Sequence, residues 1–264
     1  GRLEHAIDSL RLLCTKDLQK AKNLAKLLCE TNIARQQMTA LAIEQAKTLI
    51  AKESKIHVLY HKEWNQGIIG LIAGKVSEQY YRPAIAISVG KTISKGSARS
   101  IDGINIVEVI RKCQDILIDV GGHKGAAGFS IESKHIEIFK SRMEKYIKDF
   151  PQAEKVLEVE LELPKDQITK KLVEILQKFA PFGFKNPRPI FASTGMQVSD
   201  LRTVGDGKHL KFKVDSIDAI AFGMGEWAAL LQNAQLIDVA YNLELDTYNG
   251  FEKLQLKVKD IVVK

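Results

Sequence analysis

The chain has 264 residues, with 39 Lys and Arg against 32 Asp and Glu and a formal net charge of +7. Hydrophobic residues make up 45% and charged residues 27%, an ordinary globular balance with length enough for two cores. No apolar run approaches bilayer length and no signal peptide is visible, which sets aside membrane-spanning and secreted classes. A cytoplasmic protein is expected, and its pI of about 9.1 favours polyanionic partners.

Residues 7–53 are rich in Ala, Leu, Lys and Gln. Leu10, Leu13, Leu18, Ala21, Leu24, Ala25 and Leu28 recur at helical spacing. Thr15 and Asn32 read as N-caps that divide this helical connector. Cys14, Cys29 and Cys113 are odd in number and far apart. They fit buried or helix-facing thiols in a reducing compartment better than a disulfide framework. Segment 56–60 then reads as a strand, 67–80 as a helix and 83–89 as a second strand. Segment 104–118 reads as a helix capped by Asn105, 126–131 as a short strand and 134–150 as a closing helix. This alternation predicts an α/β domain over 54–150 whose sheet is covered on at least one face.

Pro151 marks a boundary. Beyond it, 156–163 alternates like a strand and 168–179 reads as a helix. Segments 190–198, 209–214, 219–222, 237–245 and 254–263 read as strands, with turn signals at 205–207, 215–216 and 248–250. Residues 151–264 therefore predict a β-barrel of the OB-fold type. A chain that opens on Gly1 rather than Met reads as a piece of a longer protein.

Two glycine-rich segments carry the chemistry: Gly96-Ser97-Ala98-Arg99-Ser100, and Gly121-Gly122-His123-Lys124-Gly125-Ala126-Ala127-Gly128. Glycine lets a ligand approach backbone N–H groups, while Ser, Arg, His and Lys supply donors that phosphate oxygens accept. Tight turns and close packing explain either segment alone equally well; the pair favours one phosphate-binding cleft. Arg99 would bind a phosphate bidentately, with Ser97 completing the shell. His123 would donate to a phosphate or sugar oxygen, or serve structurally.

Trp64-Asn65-Gln66-Gly67 opens a predicted helix, where Gly67, Gly70, Ala73 and Gly74 suit close packing. Asn65 and Gln66 are free to touch a ligand. The run 181–191 mixes aromatics, cations and prolines, a composition suited to single-stranded nucleic acid. Within it Lys185 and Arg188 are the binding candidates, and Phe182 and Phe191 read as plugs. Lys208, Lys211 and Lys213, with His209 and Phe212 interleaved, read as a cationic strand face or as a solvated edge. No motif for a two-metal centre, a catalytic Ser-His-Asp set or a Walker loop is found, and no metal ligand is assigned.

The runs Trp64-x-x-Gly67-Ile68-Ile69-Gly70, Gly96-Ser97-x-Arg99-Ser100 and Gly121-Gly122-His123 resemble the DHH-associated domain of the DHH phosphoesterase superfamily. Pro181-Phe182-Gly183-x-x-Asn186-Pro187-x-Pro189-x-Phe191, Lys208-His209-Leu210 and Ala219-Ile220-Ala221-Phe222-Gly223 narrow the likeness, as does the closing 254–261 run. Together they are similar to the RecJ family of single-strand-specific 5′→3′ exonucleases, over nearly the whole chain. The resemblance implies the substrate-binding half of such an enzyme, in DNA repair and recombination. A catalytic DHH domain before Gly1 would bind Mn2+ or Mg2+, and this part alone would be inactive. Ser97 and Arg99 would hold the 5′-phosphate end, helped by Arg2. Gly121, Gly122, His123 and Lys124 would face the cleft, His123 in a supporting role. Ala98 departs from the glycine that relatives often carry. Single-stranded DNA is the implied partner of a monomer, with a single-strand-binding protein or helicase as further candidates. Two alternatives stand beside this: a non-catalytic strand-binding module, and a small-nucleotide phosphodiesterase of the same superfamily.

Overall fold

The computed structural model describes residues 6–51, 53–148, 150, 154–234, 236–247, 250 and 252–264. The chain divides into two compact units, Gly1–Lys155 and Val156–Lys264.

The first unit opens with α1 (Ile7–Cys14) and α2 (Leu18–Thr48). Asp17, not Thr15, caps α2: its carboxylate accepts from the backbone N–H groups of Gln19 and Lys20. Thr15 instead accepts the Asp17 N–H. The expected break at Asn32 is absent. Its side chain bonds Arg35 one turn on within the helix, and no Gly or Pro interrupts α2.

There follow β1 (His57–His61), α3 (Ile69–Tyr80), β2 (Ala84–Ser88) and β3 (Ile93–Arg99). Next come α4 (Ile106–Arg111), β4 (Leu117–His123), β5 (Ala126–Glu132) and α5 (Ile136–Ile147). The sheet order is β1-β2-β3-β5-β4, with β1 and β2 parallel and the other pairs antiparallel. The helix expected over 104–118 is shorter. It buries Ile106, Val107, Val109 and Ile110 in six residues and stops. The chain then enters β4, which pairs with the edge of β5 that β3 leaves open. Asn105 stands at the N-cap position of α4, yet its side chain makes no capping bond.

Gly96–Arg99 lies within β3 rather than a loop, and the second glycine segment runs from the end of β4 through a turn at Lys124 and Gly125 into β5, where a strand is expected from 126. At Gly96 a Cβ would lie 2.1 Å from Cζ of Phe129, so that glycine admits the ring. Gly122 has a φ of +148°, and a Cβ there would meet the Ala126 carbonyl oxygen at 2.3 Å. On one sheet face Ile85, Ile87, Ala98, Phe129 and Ile131 pack against Ile106 and Ile110 of α4 and Phe139 and Met143 of α5. On the other, α3 lays Ile69, Ile72, Ala73 and Val76 against Leu59, Ala84 and Ala86, with Ala42 and Ala46 of α2 joining. That second cover reaches over β1 and β2 to β3, and its edge there positions the site.

The second unit contains β6 (Leu161–Glu162), α6 (Lys170–Gln177), β7 (Phe191–Val204), β8 (His209–Val214) and β9 (Ile217–Ala221). It continues with α7 (Ala228–Gln232), β10 (Leu236–Asp246) and β11 (Lys253–Val263). The strands run β7-β8-β9-β11-β10, and β10 pairs back onto β7 to close a five-stranded OB-type barrel. Leu210, Phe212, Val214, Ile237, Tyr241 and Leu256 fill it. Tyr241 shares a hydrogen bond of 2.8 Å with Ser193, so its buried hydroxyl is satisfied. The strand expected over 156–163 shrinks to the two residues of β6, which pair only with Phe191 and Ala192. The 248–249 part of the turn expected before β11 lies outside the described residues.

Candidate nucleic-acid interface

Alternation along β3 buries Ser94, Gly96 and Ala98 and leaves Lys95, Ser97 and Arg99 half-buried on the opposite face. Register then builds three rows across three strands. Arg99 lies opposite Ala126, Ser97 opposite Gly128 and Lys95 opposite Ser130. Those β5 residues lie in turn opposite His123, Gly121 and Asp119 of β4. The middle column is Ala, Gly, Ser, a low floor. A column of two cations and a hydroxyl flanks it on one side, and a column of His, Gly and Asp on the other.

Since α3 reaches across the sheet only as far as β3, the face beyond it opens into a cleft of about 650 Å³, lined by Gln66, Gly70, Lys95, Ser97, Arg99 and Gly121 among others. A Cβ on Gly70 would stand 3.1 Å from Nη2 of Arg99 and 3.2 Å from Oγ of Ser97. The helix edge is thus pared back where the donors cluster. Arg99 is held by its own strand: Nη1 donates to the Ala98 carbonyl at 2.8 Å and to Oγ of Ser97 at 3.3 Å. Lys95 donates to the Ser130 hydroxyl and stands 4.0 Å from the Asp119 carboxylate. Alternate strand residues are about 6.7 Å apart, so the β3 donors form a ladder along the cleft.

Ser97, Arg99, Gln66 and Gly121 come together in this cleft. His123 ends the β4 column, exposed, its Nδ1 accepting the Gly125 N–H at 3.2 Å. Lys124 is exposed in the turn that follows. Gly122 alternates to the other side of β4, where the close approach of Ala126 already explains it. Asn65 stabilises its own turn, where its Oδ1 accepts the Gly67 N–H at 2.7 Å, and it lines a separate hollow with Trp64, Met38 and Leu41. Arg2 lies outside the described residues. Lys95, Asp119 and Ser130 are not among the site residues the sequence suggests. Reading 93–99 with a strand's period of two, instead of as a loop, places Lys95 on the face of Ser97 and Arg99.

On the second unit, β8 turns His209, Lys211 and Lys213 outward and buries Leu210, Phe212 and Val214. Phe212 is therefore core, not part of a binding face, and Lys208 sits in the turn before the strand. Lys213 is neutralised by Asp200 at 2.6 Å, and its ammonium holds that carboxyl below the usual carboxylate range. Lys211 instead lies directly opposite Arg202, a like-charge pair. Beside them the half-exposed Phe222 ring stacks edge-on to His209 at 5.2 Å, with Nζ of Lys257 5.5 Å from its centroid. Arg202, Phe222 and Lys257 join this wall only through register. In the loop before β7, the Arg188 guanidinium lies 4.9 Å over the Phe182 ring. Lys185 occupies a turn position with φ of +66°, and Phe191 is buried.

Among the described residues no group of three His, Cys, Asp or Glu side chains is placed to hold a metal ion. On the cleft face Asp119 and His123 stand at opposite ends of their column, so these residues do not fit a metal centre. No described helix is long and apolar enough to cross a membrane.

The DHHA1 domain family model matches residues 53–149, and the RecJ OB domain model matches residues 159–260. The chain thus joins a DHHA1 domain of the DHH superfamily to an OB-fold barrel. The single-stranded-DNA-specific exonuclease RecJ of Bacillus subtilis is 30% identical over 277 residues, spanning 100% of this chain and 35% of that protein. RecJ of Thermus thermophilus is 30% identical over 261 residues, covering 99% of this chain and 38% of the relative. The crystal structure of the Thermus RecJ in complex with Mg2+ matches with a TM-score of 0.85 at 30% identity, covering 100% of this chain and 41% of that one. This chain belongs to the RecJ family. It spans little more than a third of the length of these two curated relatives.

Proposed function

We propose that this chain is the strand-binding part of an exonuclease that degrades single-stranded DNA from its 5′ end in DNA repair and recombination. The carrying observation is the open face of three rows, on which Arg99, Ser97 and Lys95 form a ladder of donors over a floor of small residues. Arg99 binds the terminal phosphate as a planar fork, Ser97 donates its hydroxyl, and Lys95 meets the following phosphate. Gly121 keeps the floor low, and His123 and Lys124 attend the end of the cleft. In the barrel, Lys211, Arg202, Lys257 and Phe222 guide the strand, with Lys208, Lys185 and Arg188 as further cations. The division of labour falls near Pro151, with 54–150 gripping the end and 151–264 guiding.

Hydrolysis belongs to a DHH domain outside these 264 residues, and Mn2+ or Mg2+ belongs there too. The Thermus relative has been crystallised with each ion. The test compares this chain with a longer protein that includes the DHH domain. The longer protein digests single strands with added Mn2+, and this chain alone does not. Digestion by this chain alone overturns the assignment. Competition by dinucleotides as effective as that by long single strands would favour a small-nucleotide phosphodiesterase, for which a guiding barrel has no use.

A further inference from the structure

The segment 178–191 holds Lys178, Lys185 and Arg188 and no acidic residue. Its four phenylalanines have different surroundings. Phe191 is buried in the barrel, Phe182 lies beneath the Arg188 guanidinium and Phe179 is largely exposed. Phe184 is 96% exposed. An aromatic ring so placed gains nothing from folding, since its apolar surface remains in water.

The ring is held out by a rigid support. Gly183 and Asn186 exchange backbone hydrogen bonds of 2.8 and 3.1 Å, which puts Phe184 and Lys185 at the tip of a two-residue turn. The Asn186 side-chain amide donates to the carbonyls of Phe179 and Pro181 at 3.0 and 2.9 Å. The other leg is tied to β10, where Asn242 donates to the carbonyls of Arg188 and Pro189 at 3.3 and 2.7 Å. A slack loop could fold its phenylalanine back onto the barrel. This one cannot do so without breaking those bonds.

We infer that the Phe184 ring is a stacking site for one nucleobase of a single strand, with Lys185 and Arg188 placed for the adjoining phosphates. The inference rests on the strand-binding reading above and adds a contact with a base to it. The chemistry favours a nucleotide over an apolar protein surface, because the segment that carries the ring has three cations and no acid in its sequence, and a carboxylate that reaches it, that of Glu160, is engaged by the Ile190 N–H. A nucleotide presents a π face and an anion together. The site is separate from the Phe222 wall: the turn leads into Phe191 at the start of β7, whereas His209 pairs with Val204 at its end.

The experiment titrates the 264-residue chain with oligo-dT and with an abasic oligomer of equal length. F184A weakens oligo-dT binding about tenfold, leaves abasic binding unchanged, and leaves the salt dependence unchanged because no charge is removed. F184W retains affinity, and its added fluorescence is quenched by oligo-dT and not by the abasic strand. Undiminished oligo-dT binding by F184A, or equal loss on both oligomers, overturns the stacking site while strand binding stands. A wild-type chain that binds neither oligomer overturns the strand-binding reading and the stacking site with it.

Discussion

One missing methyl group, at Gly70, sets how much of Arg99 and Ser97 reaches the cleft. A Cβ there would crowd both at 3.1 and 3.2 Å, close enough that the flexible guanidinium must give way. G70A is expected to leave the melting temperature unchanged or slightly higher, since alanine suits a helix better. Its affinity for a 5′-phosphorylated strand is expected to fall severalfold, measured by titration beside the melt. His57 makes a second claim at this scale. It is buried, and burial first, then the Arg82 charge, lowers its pKa to about 4. The folded unit therefore refuses a proton that the unfolded chain accepts below about pH 6.5. Stability is whole above that pH and declines as pH falls toward 4, by about 2 kcal/mol at pH 5. Denaturant melts of the wild type and H57Q at about pH 7.5 and pH 5 read this difference. An equal pH dependence in both would refute it.

At the scale of elements, β8 and β7 set Lys211 directly against Arg202. Like charges in register destabilise a sheet unless an anion arrives. K211T is expected to raise barrel stability by about 0.5 kcal/mol. It should also weaken strand binding and reduce the slope of log affinity against log salt by about one. A variant that binds as tightly with an unchanged slope would remove Lys211 from the interface. Elements also mark where sequence reading succeeds and fails. The barrel strands were legible because Leu210, Phe212 and Val214 alternate with His209, Lys211 and Lys213. Strands β3 and β4 of the candidate site were not, because Gly96, Gly121 and Gly122 carry the signature of a loop. In this fold they serve instead the ring of Phe129, an open floor and the approach of Ala126. Tertiary pairing overrode local preference, and with it the face that Lys95 shares with Ser97 and Arg99 went unassigned. Helix α4 was overextended for the same reason: β4 is defined by its partner β5, which lies later in the chain.

At the scale of the whole molecule, each unit has its own core. In the first, the sheet's second cover is partial, and the donors collect along its edge on β3. The residues of the cleft come from three strands and a helix start. Their convergence could be suspected from two glycine-rich motifs, but their rows required the register. Ser97 and Arg99 are two residues apart on one strand, while His123 reaches the Arg99 row only through Ala126.

The central claim, that this face grips the phosphorylated end of a strand, is tested most directly by the affinity ratio between 5′-phosphorylated and 5′-hydroxyl oligo-dT. The account predicts that the wild-type chain prefers the phosphorylated end by tenfold or more, about 1.4 kcal/mol, and that R99Q reduces the ratio to near one. Equal affinity of the wild-type chain for the two ends, or an undiminished preference in R99Q, would contradict it.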